Sequence, residues 1–572
     1  MRKHLHINLN DRSVTEQTVD GEALAYGGRH LIARTLLERE IAKVDPMSPE
    51  NPLIFSAGVF AGSNFSNANR LAVGCKSPLT GGVKEANAGG TFAFAMGQLE
   101  YSGLTLDGAA DEWLVIRIID GGEVRFESAA PYMGKGTFET AEMLFAAYGD
   151  KVSLGICGPV GEYGGLIAGI AFTDPEGRPV RMAARGGVGA VMGSKKIKAL
   201  VIDKRKMPTF HDRKKLMTGI RSYGAKLEKD PAIKNLGERG TANVADVTNH
   251  LGGLPVRNFS QGRLVDSTQQ PLKVGGEFIR RQQLDRGGET THACMPGCLI
   301  RCSNIYVDAK GEEVVSPLEY ETIGLLGTNC GLTEPDDIAR LNGIANDLGV
   351  DTIEVGAMLA VLMDHGMADF GDIAFMEAAL ADIAAGNERG RLLAQGTARV
   401  GAHFGVKRVP VIKGQAISAY DPRVIEVTGI SMMLTAQGAD HTTGNVVAAE
   451  CDGKDTAELT RISMESQVGR AAGDSLGICI FGRSVTDVNL DLIIGAVNDA
   501  LGSDFETSFI NRLGIETLDL EHRFNEAAGF TEADDELPEF FFEESLEPTG
   551  KTARHRAVEA NRAKRAWLES VG

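Results

Sequence analysis

Three cysteines, Cys294, Cys298 and Cys302, recur at every fourth position of the stretch HACMPGCLIRCSN. Thiols so closely spaced in a cysteine-poor chain point to metal binding or redox chemistry rather than to a disulfide framework. A fourth thiol, Cys479 in AAGDSLGICIFG, completes a possible set of four. Four is the ligand count of a cubane iron–sulfur cluster and equally of a zinc site closed by sulfur. Spacing alone leaves both open, together with a cysteine cluster that holds no metal. Radical-type clusters, with their open iron, normally follow a three-then-two spacing, and the three-then-three spacing here argues against that class. The isolated Cys75, Cys157, Cys330 and Cys451 read as buried small hydrophobes.

A second candidate lies in GLTEPDDIARLNGIANDLGVDTIEVGAMLAVLM. Thr333 and Asp336 read as a capping box, Ile338, Leu341, Ala345 and Leu348 as an apolar stripe, and Gly349 as the stop. Asp351 and Glu354 read as another box that opens the next helix at once. A corner of this kind offers backbone N–H groups and carboxylates to a polar heterocycle, although caps that only cap have the same pattern. Asp474, Leu476 and Gly477 loosely repeat the order of Asp347, Leu348 and Gly349.

Two Gly-rich segments, 68–97 and 181–200, each join arginine to a backbone free to approach an anion. Ordinary turns in a β-rich domain use glycine too. Neither segment is a P-loop, and neither carries the dinucleotide fingerprint with its acidic residue.

These sites need elements to hold them. The first 205 residues contain short β-rich runs such as EWLVIRIID and KVSLGICG between Gly, Asn and Asp turns. Helical periods take over after DKRKMPTFHDRKKL, which predicts a boundary near residue 208. A chain of 572 residues is long enough for about three domains. Its net charge of −18 disfavours nucleic acid as a partner. No run approaches the ~20 apolar residues of a membrane span, and the N-terminus has no apolar h-region, so a cytoplasmic protein is expected.

KSPLTGG, NAGG, RGGVGAVMGSK, LEYETIGLLG and GDSLGIC occur in that order. Together they make the chain resemble the tungsten-containing aldehyde ferredoxin oxidoreductases from about residue 5 to about residue 550. The resemblance implies an α+β fold: a β-rich N-terminal cofactor-binding domain over 1–208, then mainly α-helical domains over 209–410 and 411–572. It implies a tungsten bis-pyranopterin, with molybdenum as the substitute, magnesium bridging the pterin phosphates, and a [4Fe-4S] cluster on Cys294, Cys298, Cys302 and Cys479. Arg70, Asn87, Gly89 and Gly90 would form one cofactor loop, and Arg181, Ala183, Arg185 and Gly186 the other. Asp351 with Asn346 and Val350, and Asp474 with Ile478, would each receive one pterin. Glu321, following Tyr320, and His441 would do the chemistry.

The activity so implied is oxidation of an aldehyde to a carboxylic acid, with electrons leaving to ferredoxin or a dedicated iron–sulfur subunit. The alternatives are reduction of an aromatic thioester or acid within a larger complex, and a cofactor-bearing scaffold subunit without aldehyde activity. A homodimer is possible. Three departures from the family pattern stand out: the three-residue gap between Cys294 and Cys298, Asn346 where Asp is usual, and a basic, helical C-terminal end that either docks a partner or is a solvated helix.

Overall fold

The computed structural model describes residues 1–571. The N-terminal β-rich domain consists of two six-stranded sheets. The first contains β1 Arg2–Asn8, β2 Ser13–Val19, β3 Leu53–Ala57, β4 Leu71–Lys76, β5 Val83–Ala88 and β6 Tyr101–Asp107, in the order β2-β1-β6-β3-β4-β5. The second contains β7 Leu114–Ile118, β8 Val124–Ser128, β9 Val152–Cys157, β10 Ile170–Phe172, β11 Arg181–Ala183 and β12 Ile197–Asp203, in the order β11-β10-β9-β12-β7-β8. Pairing is antiparallel except for β1 with β6 and β7 with β12.

Period-two alternation splits the faces of the second sheet. Ile116, Ile170, Phe172 and Leu200 face a core shared with Phe55 and Leu104 of the first sheet, while Val115, Ile156 and Val201 face Leu144 of the helix Thr137–Tyr148. The β-rich runs of the sequence thus form the strands they predict.

Mainly helical domains follow. In the helix Pro335–Leu348 the stripe Ile338, Leu341, Ala345 and Leu348 is buried, and Gly349 stops the helix at φ +71°. The predicted caps differ. Glu334 holds the N-cap position without a side-chain hydrogen bond, because Pro335 at the first helical position supplies the start that Thr333 and Asp336 were expected to supply. Asp351 does cap the helix Thr352–Asp364, accepting from Ile353 N–H at 2.9 Å. Glu354 closes no box: it is fully buried and accepts from Thr397 N–H at 3.0 Å and Ala416 N–H at 2.6 Å.

The basic C-terminal segment is the helix Ala557–Val571. It lies on the chain's own helices Thr456–Leu476 and Glu426–Leu434 through buried Ala557 and Ala560, with Asn561 donating to Asp535 at 2.8 Å. No helix among the described residues is long and apolar enough to cross a membrane.

Candidate active site

A cavity of about 410 Å³ opens where the N-terminal sheets meet the helical part. Arg70, Asn87, Gly89, Arg181, Arg185, Tyr320, Glu321, Asn346, Val350, Asp351, His441 and Asp474 line it, together with Cys294, Cys302 and Cys479. Residues more than 400 positions apart therefore share one wall. Gly90, Ala183, Gly186, Ile478 and Cys298 do not line it; they belong to the layer behind. Gly90, at φ +93°, stands where a Cβ would come within 2.7 Å of Thr173 O, so its role is to let the backbone turn.

Two corners bring the helical part against the sheets. Gly349 O accepts from Gly169 N–H at 2.9 Å, and Asp351 N–H donates to Ile167 O at 2.9 Å. Gly477 O accepts from Arg70 N–H at 3.1 Å, and Cys479 N–H donates to Asn67 O at 2.7 Å. Glycines permit the contact: a Cβ on Gly158 would lie 2.3 Å from Leu348 O, and one on Gly58 would lie 2.1 Å from Leu476 O. With Gly349 matched to Gly477, Asn346 corresponds to Asp474 and Asp351 to Cys479. The loose pairing of Asp347 with Asp474 is thus corrected by one residue: Asp347 faces away from the cavity and accepts from Phe138 N–H at 3.0 Å.

The four cysteines are free, and all but Cys294 are buried. Burial and mutual repulsion push the Cys298 thiol up to about 12 and raise Cys302 and Cys479, whose thiolates therefore need a positive partner. Among the described residues no three of these sulfurs lie within 4.8 Å of one another. Tetrahedral zinc, with Zn–S of about 2.3 Å, would draw its ligands closer than that. The Arg70 guanidinium stands between Cys294, Cys479 and Asp474, near enough for all three to stabilise its charge.

The arginines divide in role. Arg70 is held by Asn87, whose carbonyl accepts at 3.1 Å. Arg181 donates to Ser303 at 2.8 Å and leaves its buried Nε unpartnered, so it retains a donor for an anion. Arg185 is committed to the protein, contrary to its expected phosphate role. It donates to Asp351 at 3.3 Å, Ser418 at 3.1 Å, Ala439 O at 2.7 Å and Ala416 O at 2.6 Å. It ties the first corner to the segment that carries His441.

Glu321 lies in the short helical turn Tyr320–Thr322, which continues as a π-turn over Ile323–Gly327, a wide geometry that re-aims side chains. Gly324 allows Ala419 to approach to 2.5 Å of where a Cβ would stand, and Ala419 N–H then donates to Glu321 Oε2 at 2.9 Å. The other carboxylate oxygen, Oε1, is buried without a hydrogen bond and faces His441 Nε2 at 3.4 Å. His441 Nδ1 meets Ser418 Oγ at 3.0 Å, and Tyr420 stacks obliquely with its ring centroid 5.7 Å away. Tyr320 lines the cavity with its ring, but its hydroxyl is taken by Ala419 O and by Thr248 at 3.0 Å. It braces Ala419 and has no free hydroxyl for a reactant.

Sequence reasoning missed Ser418, Tyr420, Asp440, Lys84 and Glu85. Asp440 sits beside His441, caps its turn through Thr442 N–H at 2.9 Å, and pairs with buried Lys84 at 2.5 Å. Lys84 and Arg185 hold the Asp440 carboxyl far below the usual range despite burial. Glu85 lines the cavity near Asp474; burial and that like charge push Glu85 up to about 8, and burial pushes Asp474 up to about 6. Only adjacency to His441 marked any of them in the sequence, and only for Asp440. Asp174, Glu176 and His292 also converge, but Arg178 bonds both acids at 3.3 Å and Arg181 lies 3.9 Å from Asp174. Guanidinium groups already neutralise this cluster.

These residues fit a bulky, two-sided, partly anionic cofactor: a cavity with one corner on each side, an unpartnered guanidinium N–H, and two carboxylates raised by their surroundings. Comparison with known proteins agrees. The family model "Aldehyde ferredoxin oxidoreductase, N-terminal domain" matches residues 4–204, and "Aldehyde ferredoxin oxidoreductase, domains 2 & 3" matches residues 219–572. A tungsten-containing aldehyde ferredoxin oxidoreductase of Pyrococcus horikoshii is 32% identical, over 97% of this chain and 93% of its own. An aliphatic sulfonate oxidoreductase, WOR-like subunit, of Pyrococcus furiosus is 25% identical over 91% of this chain and 85% of its own. The active-site complex BamBC of benzoyl coenzyme A reductase, solved with 1,5-dienoyl-CoA, shares the fold at a TM-score of 0.83 and 19% identity, covering 100% of this chain and 94% of that one.

Proposed function

Because the chain belongs to the aldehyde ferredoxin oxidoreductase family, a family of tungsten-containing oxidoreductases, we propose that it oxidises an aldehyde to a carboxylic acid, with water supplying the oxygen. The aldehyde and water yield the acid, two protons and two electrons. A tungsten bis-pyranopterin with its magnesium would supply the two-electron redox change when bound. Asp351 and Asn346 at one corner and Asp474 at the other would accept hydrogen bonds from its two halves, and Arg70 and Arg181 would meet its anionic groups. Cys294, Cys298, Cys302 and Cys479 would hold the [4Fe-4S] cluster through which electrons leave singly to ferredoxin or another iron–sulfur partner.

The chain's own contribution centres on Glu321 and His441. Glu321 Oε2 is anchored by Ala419, which leaves Oε1 to take a proton from water inside the cavity. His441, oriented through Nδ1 by Ser418, turns Nε2 toward that oxygen at 3.4 Å and can donate to the carbonyl oxygen of the aldehyde. The observation that carries the reading is the buried Glu321 Oε1, which has no hydrogen bond and faces His441 Nε2 at 3.4 Å. Burying an unsatisfied carboxylate oxygen is costly, and a scaffold subunit would have no use for it. Reduction of an aromatic thioester rests on likeness of fold alone, at 19% identity.

The test is Glu321→Gln in anaerobically prepared holoprotein, assayed over an aldehyde panel with viologen as acceptor. Turnover should fall by about 10²- to 10⁴-fold while tungsten and iron stay bound. Undiminished turnover would remove Glu321 from the mechanism.

A further inference from the structure

Exposed large apolar side chains are few among the described residues, and two of them adjoin the cysteines: Leu299, next to Cys298, and Phe481, two residues after Cys479, each 37% exposed. The helix Arg213–Leu227 shares a buried cluster with Cys298, Cys302 and Cys479 through Leu216, Tyr223 and Leu227. Leu299 Cδ1 lies 3.0 Å from where a Cβ on its Gly224 would stand. The hydroxyl of its Tyr223 donates to Asn67 at 3.1 Å, and a Cβ on Gly482 would lie 2.8 Å from that hydroxyl. Tyr223 is close enough to Cys298 and Cys479 to feel the charge of both. This helix therefore lies at the surface beside both cysteine loops, next to the exposed Leu299.

That face has the opposite charge to the rest of the molecule. Residues 213–234 carry seven Lys and Arg against Glu228 and Asp230, in a chain of net charge −18. All seven cations are exposed. Among the described residues only Lys215 has a carboxylate partner, Asp212 at 3.2 Å; Arg213, Lys214, Arg221, Lys226, Lys229 and Lys234 have none. Unpaired cations on a surface that also exposes apolar side chains can steer an anionic protein and then seat it.

We infer that the helices Arg213–Leu227 and Pro231–Arg239, with Leu299 and Phe481, form the docking face for a small acidic iron–sulfur protein that accepts electrons one at a time. The inference rests on the proposed cluster. At each docking the chain's cluster loses one electron and the partner's cluster gains it, so two dockings complete one aldehyde oxidation.

The test compares wild-type holoprotein with Arg221→Glu/Lys229→Glu, using an acidic [4Fe-4S] ferredoxin and, separately, benzyl viologen as acceptor. At low ionic strength the KM for ferredoxin should rise about tenfold in the variant with viologen turnover unchanged, and the wild-type KM should rise with salt. An unchanged ferredoxin KM in the variant, or no salt dependence in the wild type, overturns the assignment. A wild-type dimer that the charge reversal dissociates overturns it too, because the face would then serve a second copy of the chain. If the wild type does not turn over any aldehyde with viologen, the oxidase reading fails and calorimetry of ferredoxin binding decides the docking face: binding weakened by the double substitution supports it, and equal binding refutes it.

Discussion

At Asn346–Asp351 and again at Asp474–Cys479 a helix ends on Leu-Gly, with Gly349 at φ +71° and Gly477 at φ +75°. In both, the following N–H reaches back into the helix: Val350 to Ala345 O at 3.1 Å, and Ile478 to Gly473 O at 2.8 Å. Each corner then joins one of the two sheets across a glycine. The last position differs. Asp351 turns its carboxylate onto Ile353 N–H and Arg185, whereas Cys479 presents a thiol. The third position before each glycine differs as well, a neutral amide at Asn346 and a carboxylate at Asp474. The comparison teaches that one backbone device, set by Leu-Gly and a glycine opposite, can position a charged clamp in one place and a thiol in another.

The largest expected effect tests that last position. Cys479→Ser should remove most of the roughly four irons per chain, whereas Asp351→Ser should keep them, as counted by iron analysis. Equal iron in both variants would mean that the corners do not differ in the way proposed. Gly58→Ala and Gly158→Ala should each destabilise the holoprotein by about 3 kcal/mol, because backbone lies opposite and a flexible side chain cannot yield, as thermal unfolding would report. A large loss at one corner only would break the equivalence.

A smaller effect distinguishes the second corner. Glu85 has a folded value of about 8, raised above its ordinary 4.5, so the folded state holds a proton that the unfolded state releases. Stability should therefore fall as pH rises between about 4.5 and 8. Asp474, raised to about 6, acts in the same direction over the lower part of that window. Glu85→Gln should lose less melting temperature than wild type between pH 5 and pH 8, and a parallel loss would place the carboxylate strain elsewhere. The smallest effect is expected from Asn346→Asp, which makes the corners alike. Replacing a neutral acceptor with a charged one strengthens a hydrogen bond by about 1 kcal/mol, which should slow tungsten loss on dilution several-fold.

Much of this was legible residue by residue. The four cysteines, the two glycine-stopped helices and the strands of the first 205 residues are local patterns, and local sterics and hydrogen bonding dictate them. The caps were read less well: Pro335 set the start of its helix, and Glu354 was drawn from its expected local bond by two backbone N–H groups more than 40 residues away. Arg185 was misjudged for a related reason. A guanidinium has five donors, and the sequence does not tell whether a ligand or the chain itself will occupy them. Lys84, Glu85, Ser418 and Tyr420 carried no motif at all.

By itself the sequence determined the type of chemistry: thiols in cluster number, carboxylates at helix corners, Gly-rich loops with arginine, and an acidic chain interrupted by two basic segments. Only the tertiary structure decided which groups act together. It set the corner register by bringing Gly58 and Gly158 against the opposing backbone, left Glu321 Oε1 facing His441 without a hydrogen bond, and packed the basic helix beside Cys298 and Cys479. The physical reason is range. Turns, caps and strand alternation act within a few residues, whereas burial and charge pairing act between whatever surfaces the fold brings into contact.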